Sequence, residues 1–186
     1  MEFVISEKER SLKGIMAADM QTEKPSSLAS LTKASYSIQQ KIAMIERTKW
    51  VDEFSWNQLK ALAVYMDAYD VKQGTVIFQE GQHDAHMILI IRGEVNLVKE
   101  SNDQHQKLIN AVGRGRIFGE MSLIDGEPRS ASALAATYVT LLALSKDNFL
   151  RLTEEAPSLG VTVALKLAKL MSQRLRQTTG RLIDIL

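Results

Sequence analysis

Between Asp70 and Leu144, glycines stand at positions 74, 81, 93, 113, 115, 119 and 126, and short aliphatic stretches fill the gaps: VIF, MILII, EVNLV, KLINAV and TLLAL. Glycine takes positive φ without strain, so this spacing suits tight turns between short strands. Many short strands joined by such turns suit a barrel or jelly roll. The polar SNDQHQ stretch (Ser101–Gln106) reads as a hairpin tip.

The flanks are helical in pattern. Ile38, Ile42 and Ile45 recur at helical spacing, and Val51 and Phe54 continue that apolar surface. Ser55 followed by Gln58 is a capping box, which predicts a helix to about Met66 with Leu59, Leu62, Ala63 and Met66 buried. Beyond the strands, Ser145 is an N-cap candidate, and Pro157 closes that helix or opens the next. Ser158–Leu186 reads as one long helix, although Gly180 costs it roughly 1 kcal/mol relative to alanine. Ala164, Ala168, Met171, Leu175, Thr178, Leu182 and Ile185 form a heptad seam along it, the pattern of a helix packed lengthwise on another. A second subunit's copy would serve, so a homodimer through this helix is expected. Residues 1–35, polar from Asp19 to Lys33 and holding Pro25, read as a mobile or loosely docked extension. The domain proper is then 36–186, with helices over 36–66, the barrel over 70–144 and C-terminal helices over 145–186.

Composition narrows the function. Of 186 residues, 45% are hydrophobic and 24% charged, with a formal net charge of +1, so no wholesale nucleic-acid or membrane binder is indicated. The absence of cysteine excludes a disulfide framework, a zinc–thiolate site and a cysteine nucleophile. No apolar run approaches a membrane span and the first residues lack a signal-peptide core, so a cytoplasmic location is expected. No nucleophile–base pair or metal-ligand cluster is visible, and enzyme activity is not expected.

The most specific stretch is Phe118–Ala133, FGEMSLIDGEPRSASA. Phe118-Gly119-Glu120, then Ser122 and Leu123, then Arg129-Ser130-Ala131 resemble the phosphate-binding cassette of cyclic-nucleotide-binding domains. Those domains are of the catabolite activator and cyclic-AMP-dependent kinase regulatory subunit type. GTVIFQEG (Gly74–Gly81) and MILIIRGEV (Met87–Val95) are similar to the family's barrel strands and turn glycines. The resemblance covers roughly Val51–Leu186. It implies a mainly β fold with flanking helices, a double-stranded β-helix (jelly-roll) barrel between N-terminal helices and a long C-terminal helix. It also implies a cyclic nucleotide as ligand, cyclic AMP first, with cyclic GMP or a cyclic dinucleotide as alternatives.

The chemistry is coherent in its own right. A cyclic phosphate is a compact, permanent anion that an arginine meets with forked, charge-assisted hydrogen bonds. Backbone N–H groups at the start of a short helix, here Met121-Ser122-Leu123, add donors and a favourable dipole. By the resemblance, Arg129 takes the phosphate with Ser130 and Ala131, while Glu120 and Gly119 take the sugar. Thr178 and Thr179 correspond to the pair that contacts the base, and Thr178 also falls on the seam, where a polar residue lowers packing stability. The structural alternative is that Glu120 and Arg129 pair with each other inside an empty barrel, leaving a dimerisation or scaffold module with a vestigial pocket.

Other features weigh less. Gly113-Arg114-Gly115-Arg116 lacks the Lys-(Ser/Thr) of a phosphate loop and reads as a turn. His83, His86 and His105 read as surface residues, and Trp50 and Trp56 as packing the entry helix on the barrel. Lys166, Lys169, Arg174, Arg176 and Arg181 read as a solvated basic face. The long helix ends the sequence, so no DNA-binding module is expected. The function expected is a cyclic-nucleotide sensor that signals through its C-terminal helix to a separate, unidentified protein partner.

Overall fold

The structure, a computed structural model, describes residues 28–101 and 106–183. The helices expected over 36–66 are two α-helices. α1 (Ile38–Glu46) and α2 (Trp56–Tyr65) each begin at a capping box, Ser37 with Gln40 and Ser55 with Gln58. A 3-10 turn over Lys49–Val51 separates them. Ile42 and Ile45 of α1 and Leu59, Leu62, Ala63 and Tyr65 of α2 are buried.

Eight strands follow among the described residues: β1 (Asp67–Val71), β2 (Val76–Phe78), β3 (His86–Arg92), β4 (Glu94–Glu100), β5 (Gln106–Gly113), β6 (Ile117–Phe118), β7 (Ser132–Ala135) and β8 (Val139–Ser145). They form two antiparallel sheets of four strands, ordered β1-β8-β3-β6 and β2-β7-β4-β5. The expected jelly-roll fold is what the chain adopts. β4 and β5 pair from Glu94 opposite Gly113 to Glu100 opposite Gln106. Residues 102–105, the centre of the predicted hairpin tip, lie outside the described residues.

β3 shows how the core is divided. Its side chains alternate, so Ile88 and Ile90 enter the core between the sheets with Val95, Phe118 and Leu141. Met87 and Leu89 point the other way, into a second core with Leu62, Leu142, Leu152 and Leu167. Both faces are covered, which is why MILII is a continuous apolar run instead of an alternating one. Gly93 turns the chain from β3 into β4 at φ +86°, and a Cβ there would lie 2.3 Å from the Tyr138 carbonyl.

The cassette supplies α3 (Glu120–Asp125), directly after β6. Ser145 caps α4 (Lys146–Glu155) by accepting from the Asn148 N–H at 3.2 Å. Pro157 then opens α5 (Pro157–Ile183), which runs for 27 residues as the sequence predicts. Leu159, Val163 and Leu167 bury one face of α5 against the helical core. Much of the heptad seam lies elsewhere on the helix. Leu175 is 68% exposed and Leu165 66%, and Ile124 of α3 completes an open apolar groove of about 600 Å³ with Val161, Ala164, Leu165, Ala168 and Met171. The seam side chains of Leu182 and Ile185 lie outside the described residues.

Several readings need correction. Trp56 is 52% exposed and does not pack the barrel; Trp50 does join the helical core, its ring 5.4 Å from that of Phe54. Lys166 is not on a solvated face. Its ammonium donates to the Trp50 carbonyl at 2.7 Å and lies 5.1 Å from the Phe54 ring centroid. Of the expected 1–35 extension, residues 1–27 lie outside the described residues; nearer the domain, Lys33 bridges to Tyr69, the Ala34 N–H donates to the Ala68 carbonyl at 2.7 Å, and Leu28 is fully buried. Among the described residues no helix is long and apolar enough to cross a membrane.

The two faces of α5 make a simple contrast. Leu167→Ala should cost about 2–5 kcal/mol in urea denaturation, the range for a buried leucine. Leu175→Ala, on the exposed face, should stay within about 0.5 kcal/mol.

Candidate functional site

The cassette begins where β6 runs into α3. Gly119 sits at the junction with φ +72°, a left-handed conformation that other residues adopt at a cost. It also gives room: a Cβ on Gly119 would lie 2.7 Å from Arg129 Nη1 and 2.9 Å from the His86 carbonyl oxygen. Glu120 and Ser122 follow on α3 and are buried, whereas Met121 between them is 46% exposed. Gly126 ends α3, again left-handed, and the chain returns through Arg129, Ser130 and Ala131 into β7.

Arg129 is the centre of the site. It is only 3% exposed, and its guanidinium lies 4.0 Å above the Phe78 ring. Nη1 donates to the Gly119 carbonyl at 2.8 Å and to the His86 carbonyl at 2.9 Å. Nε and Nη2, the side-on edge of the fork, are buried and have no partner among the described residues. Burial pushes the guanidinium down to about 10, against the opposing fields of Asp84 and Glu120. It therefore stays charged at neutral pH. A buried cation holding a free bidentate edge is a receptor for an oxyanion.

Glu120 does not pair with Arg129. Its Oε1 takes Nη1 of Arg174 from α5, and Arg174 Nη2 donates to the Ile117 carbonyl of β6. Oε2 is buried and unpartnered, one acceptor for a hydroxyl. Arg174 thus belongs to the site and not to a solvated face. The signal was present: Val163, Leu167, Leu170 and Arg174 follow helical steps along the inward stripe of α5. His86 is likewise no surface residue. Its side chain is 18% exposed, and its ring nitrogen Nδ1 lies against Asp84. Burial alone would raise the Asp84 carboxyl, but His86 and the charge of Arg129 outweigh it and hold the group below its ordinary value.

The rest of the cassette is held from below. Lys99 donates to the Ser130 carbonyl at 3.1 Å and pairs with Glu80 at 2.9 Å, and Ser132 Oγ accepts from the Glu80 N–H at 2.9 Å. The Ser130 side chain is exposed beside Met121. The structure therefore brings Gly119, Glu120, Met121, Ser122, Arg129, Ser130 and Ala131 together. Thr178 and Thr179 stand apart, exposed on α5 beyond Arg174, and the Thr179 hydroxyl donates to the Leu175 carbonyl of its own helix. His83 is exposed, and His105 lies outside the described residues. Among the described residues no group of His, Asp or Glu side chains is arranged to hold a metal ion.

Comparison with known proteins accords with this geometry. The sequence pattern of the cyclic nucleotide-binding domain matches residues 70–156. A crystal structure of a cyclic nucleotide-binding domain from Methylobacillus flagellatus superposes with a TM-score of 0.70 at 32% identity, covering 80% of this chain and 84% of that one. The chain belongs to the cyclic nucleotide-binding domain family. Within that family it is 37% identical over 105 residues to the cyclic AMP receptor protein of Thermus thermophilus, covering 56% of this chain and 47% of the relative. It is 27% identical over 128 residues to a CRP-like cAMP-activated global transcriptional regulator of Mycobacterium tuberculosis, covering 69% of this chain and 55% of that protein. The chain spans about half the length of these two relatives. The domain's family is one of regulatory ligand binding.

Gly119→Ala tests the close approach. A methyl group here meets the Arg129 guanidinium and its carbonyl support on a left-handed backbone, so stability should fall by about 1–3 kcal/mol. Thermal denaturation reads the loss, and an unchanged melting temperature would show that the guanidinium has room to move.

Proposed function

We propose that this domain is a cyclic AMP sensor that holds its ligand in the 118–131 cassette and reports it through α5 to a separate protein. The observation that carries this reading is the pair of unmatched buried groups, the Nε/Nη2 edge of Arg129 and Oε2 of Glu120. One wants an anion and the other a hydroxyl donor, as a cyclic phosphate beside a ribose 2′-hydroxyl supplies. Backbone N–H groups of α3 contribute beside the phosphate, with Ser130 and Ala131 closing over it. The scaffold alternative, a vestigial pocket closed by a Glu120–Arg129 pair, loses support because Glu120 turns to Arg174 instead.

The same carboxylate supports the route to α5. Glu120 is shared between the ligand's sugar and Arg174, so occupancy of one oxygen alters the group that holds the long helix. Ligand shifts the helix only to the extent that it binds one arrangement more tightly than the other. The exposed seam supports a homodimer through α5, and Thr178 and Thr179 on that helix are the residues we assign to the base in the liganded arrangement. Cyclic GMP and cyclic dinucleotides remain the competing ligands, since Ser130 carries a hydroxyl that could meet a guanine substituent. A cytoplasmic location accords with a chain lacking cysteine.

Calorimetric titration of the nucleotide-stripped protein with cyclic AMP, cyclic GMP and a cyclic dinucleotide tests the reading. Saturable binding at one site per chain is expected, with about 2.7 kcal/mol of stabilisation at a hundredfold excess over Kd. No heat and no melting shift with any of them would favour the scaffold. Arg129→Ala should weaken cyclic AMP binding by about 1.5–3 kcal/mol, the worth of a charge-assisted hydrogen bond; unchanged affinity would remove Arg129 from the phosphate site. Thr178→Ala should change the preference between cyclic AMP and cyclic GMP, or the dimer, more than phosphate affinity. Equal losses for both nucleotides with an unchanged dimer would count against its role.

A further inference from the structure

Arg129 is held in place by one loop. Its backbone N–H donates to the Gln82 carbonyl at 2.9 Å and its carbonyl accepts from the Gly81 N–H at 2.8 Å. Its side chain reaches the His86 carbonyl, where that loop enters β3. The loop between β2 and β3 is itself braced, with the Gln79 N–H donating to Gln82 Oε1 at 2.8 Å and the Ala85 carbonyl accepting from the Lys146 N–H at 2.9 Å. Asp84 occupies its far end, its side chain 10% exposed and one oxygen against the His86 ring. The other carboxylate oxygen accepts from the Leu28 N–H at 3.0 Å.

Leu28 belongs to the segment before the domain proper, yet it is fully buried. Its side chain shares the inter-sheet core with Tyr69, Ile77, Phe118 and Phe78, the ring beneath Arg129. From Leu28 the chain runs on to the edge of β1, where Lys33 pairs with Asp67 at 2.7 Å. A backbone amide 101 positions upstream of Arg129 in sequence is thus tied to the loop that sets the arginine's position.

We propose that Asp84 is a positioning residue for Arg129, and that through it the Leu28–Ala34 segment acts as a strap whose docking and nucleotide binding reinforce each other. With the strap seated, Asp84 is fixed, the loop keeps its shape and the arginine's free edge stays in one place. With it released, Asp84 loses a partner and the loop that holds Arg129 at backbone and side chain gains freedom. Coupling of this kind is reciprocal: what the strap adds to ligand affinity, the ligand adds to strap docking. The proposal rests on the reading of Arg129 as the phosphate ligand.

The test uses the full chain and two readouts, the Kd for cyclic AMP and amide hydrogen exchange over Leu28–Ala34. Asp84→Ala should raise Kd at least about tenfold and speed exchange in the strap. Asp84→Asn, which keeps an acceptor for the Leu28 N–H, should recover much of both. Cyclic AMP should slow strap exchange in the natural protein, and Arg129→Ala should speed it with no ligand present. A faster strap with an unchanged or tighter Kd in Asp84→Ala would make Asp84 a merely structural anchor and overturn the proposal. Strap exchange indifferent to Arg129→Ala would overturn it as well. If Asp84→Ala fails to fold, Leu28→Ala gives the same two readouts. Should the natural protein bind no cyclic nucleotide, the sensor reading fails, and the Arg129→Ala comparison without ligand still decides the coupling.

Discussion

A single buried guanidinium organises this domain. Arg129 carries a charge into the protein interior, and the groups around it answer that demand. Phe78 offers the face of a ring, two carbonyls take the protons of Nη1, and Asp84 and Glu120 supply opposing charge without occupying the side-on edge. Burying a charge is tolerable when it is matched and strongly unfavourable when it is not. The half-matched state of Arg129 is therefore a local instability held within a stable barrel. Gly119 is the complementary piece, since only a residue without Cβ lets the backbone come under the guanidinium.

The second organising element is the helix that ends the described chain. α5 does two mechanical jobs with different stretches of its surface. Its first turns, through Leu159, Val163 and Leu167, fasten it to the helical core between α2 and α4. Further along, Arg174 leaves that apolar contact and grips β6 and α3 by charge. Apolar packing is non-directional and indifferent to nearby charge, whereas a guanidinium on a carboxylate is sensitive to what else the carboxylate binds. Anchor and contact point are thus built from different interactions, the one steady and the other responsive.

Much of this was legible in the sequence because it depends on local rules. The capping box at Ser55, the Ser145 cap and the glycine-punctuated strands follow from backbone chemistry within a few residues. The cassette from Phe118 to Ala131 is one short stretch and could be read as such. What escaped is what tertiary contact decides. Spacing along the chain says nothing about which acid an arginine meets, so Glu120 and Arg174, far apart in sequence, were not joined. His86 looked like a loop residue because its contribution is a backbone carbonyl, which no side-chain pattern reveals. Leu28 stood in a polar stretch, and one leucine gives no periodicity to detect. Trp56 misled for the opposite reason: a large aromatic at the first turn of a helix suggests burial, but the helix turns its stripe of Leu59, Leu62 and Ala63 to the core instead.

The uncovered apolar strip on α5 and α3 has one more consequence. If a second copy of the chain covers these exposed leucines, it does so by mass action. On the proposed reading, the concentration of the domain would then act as an input alongside that of its ligand.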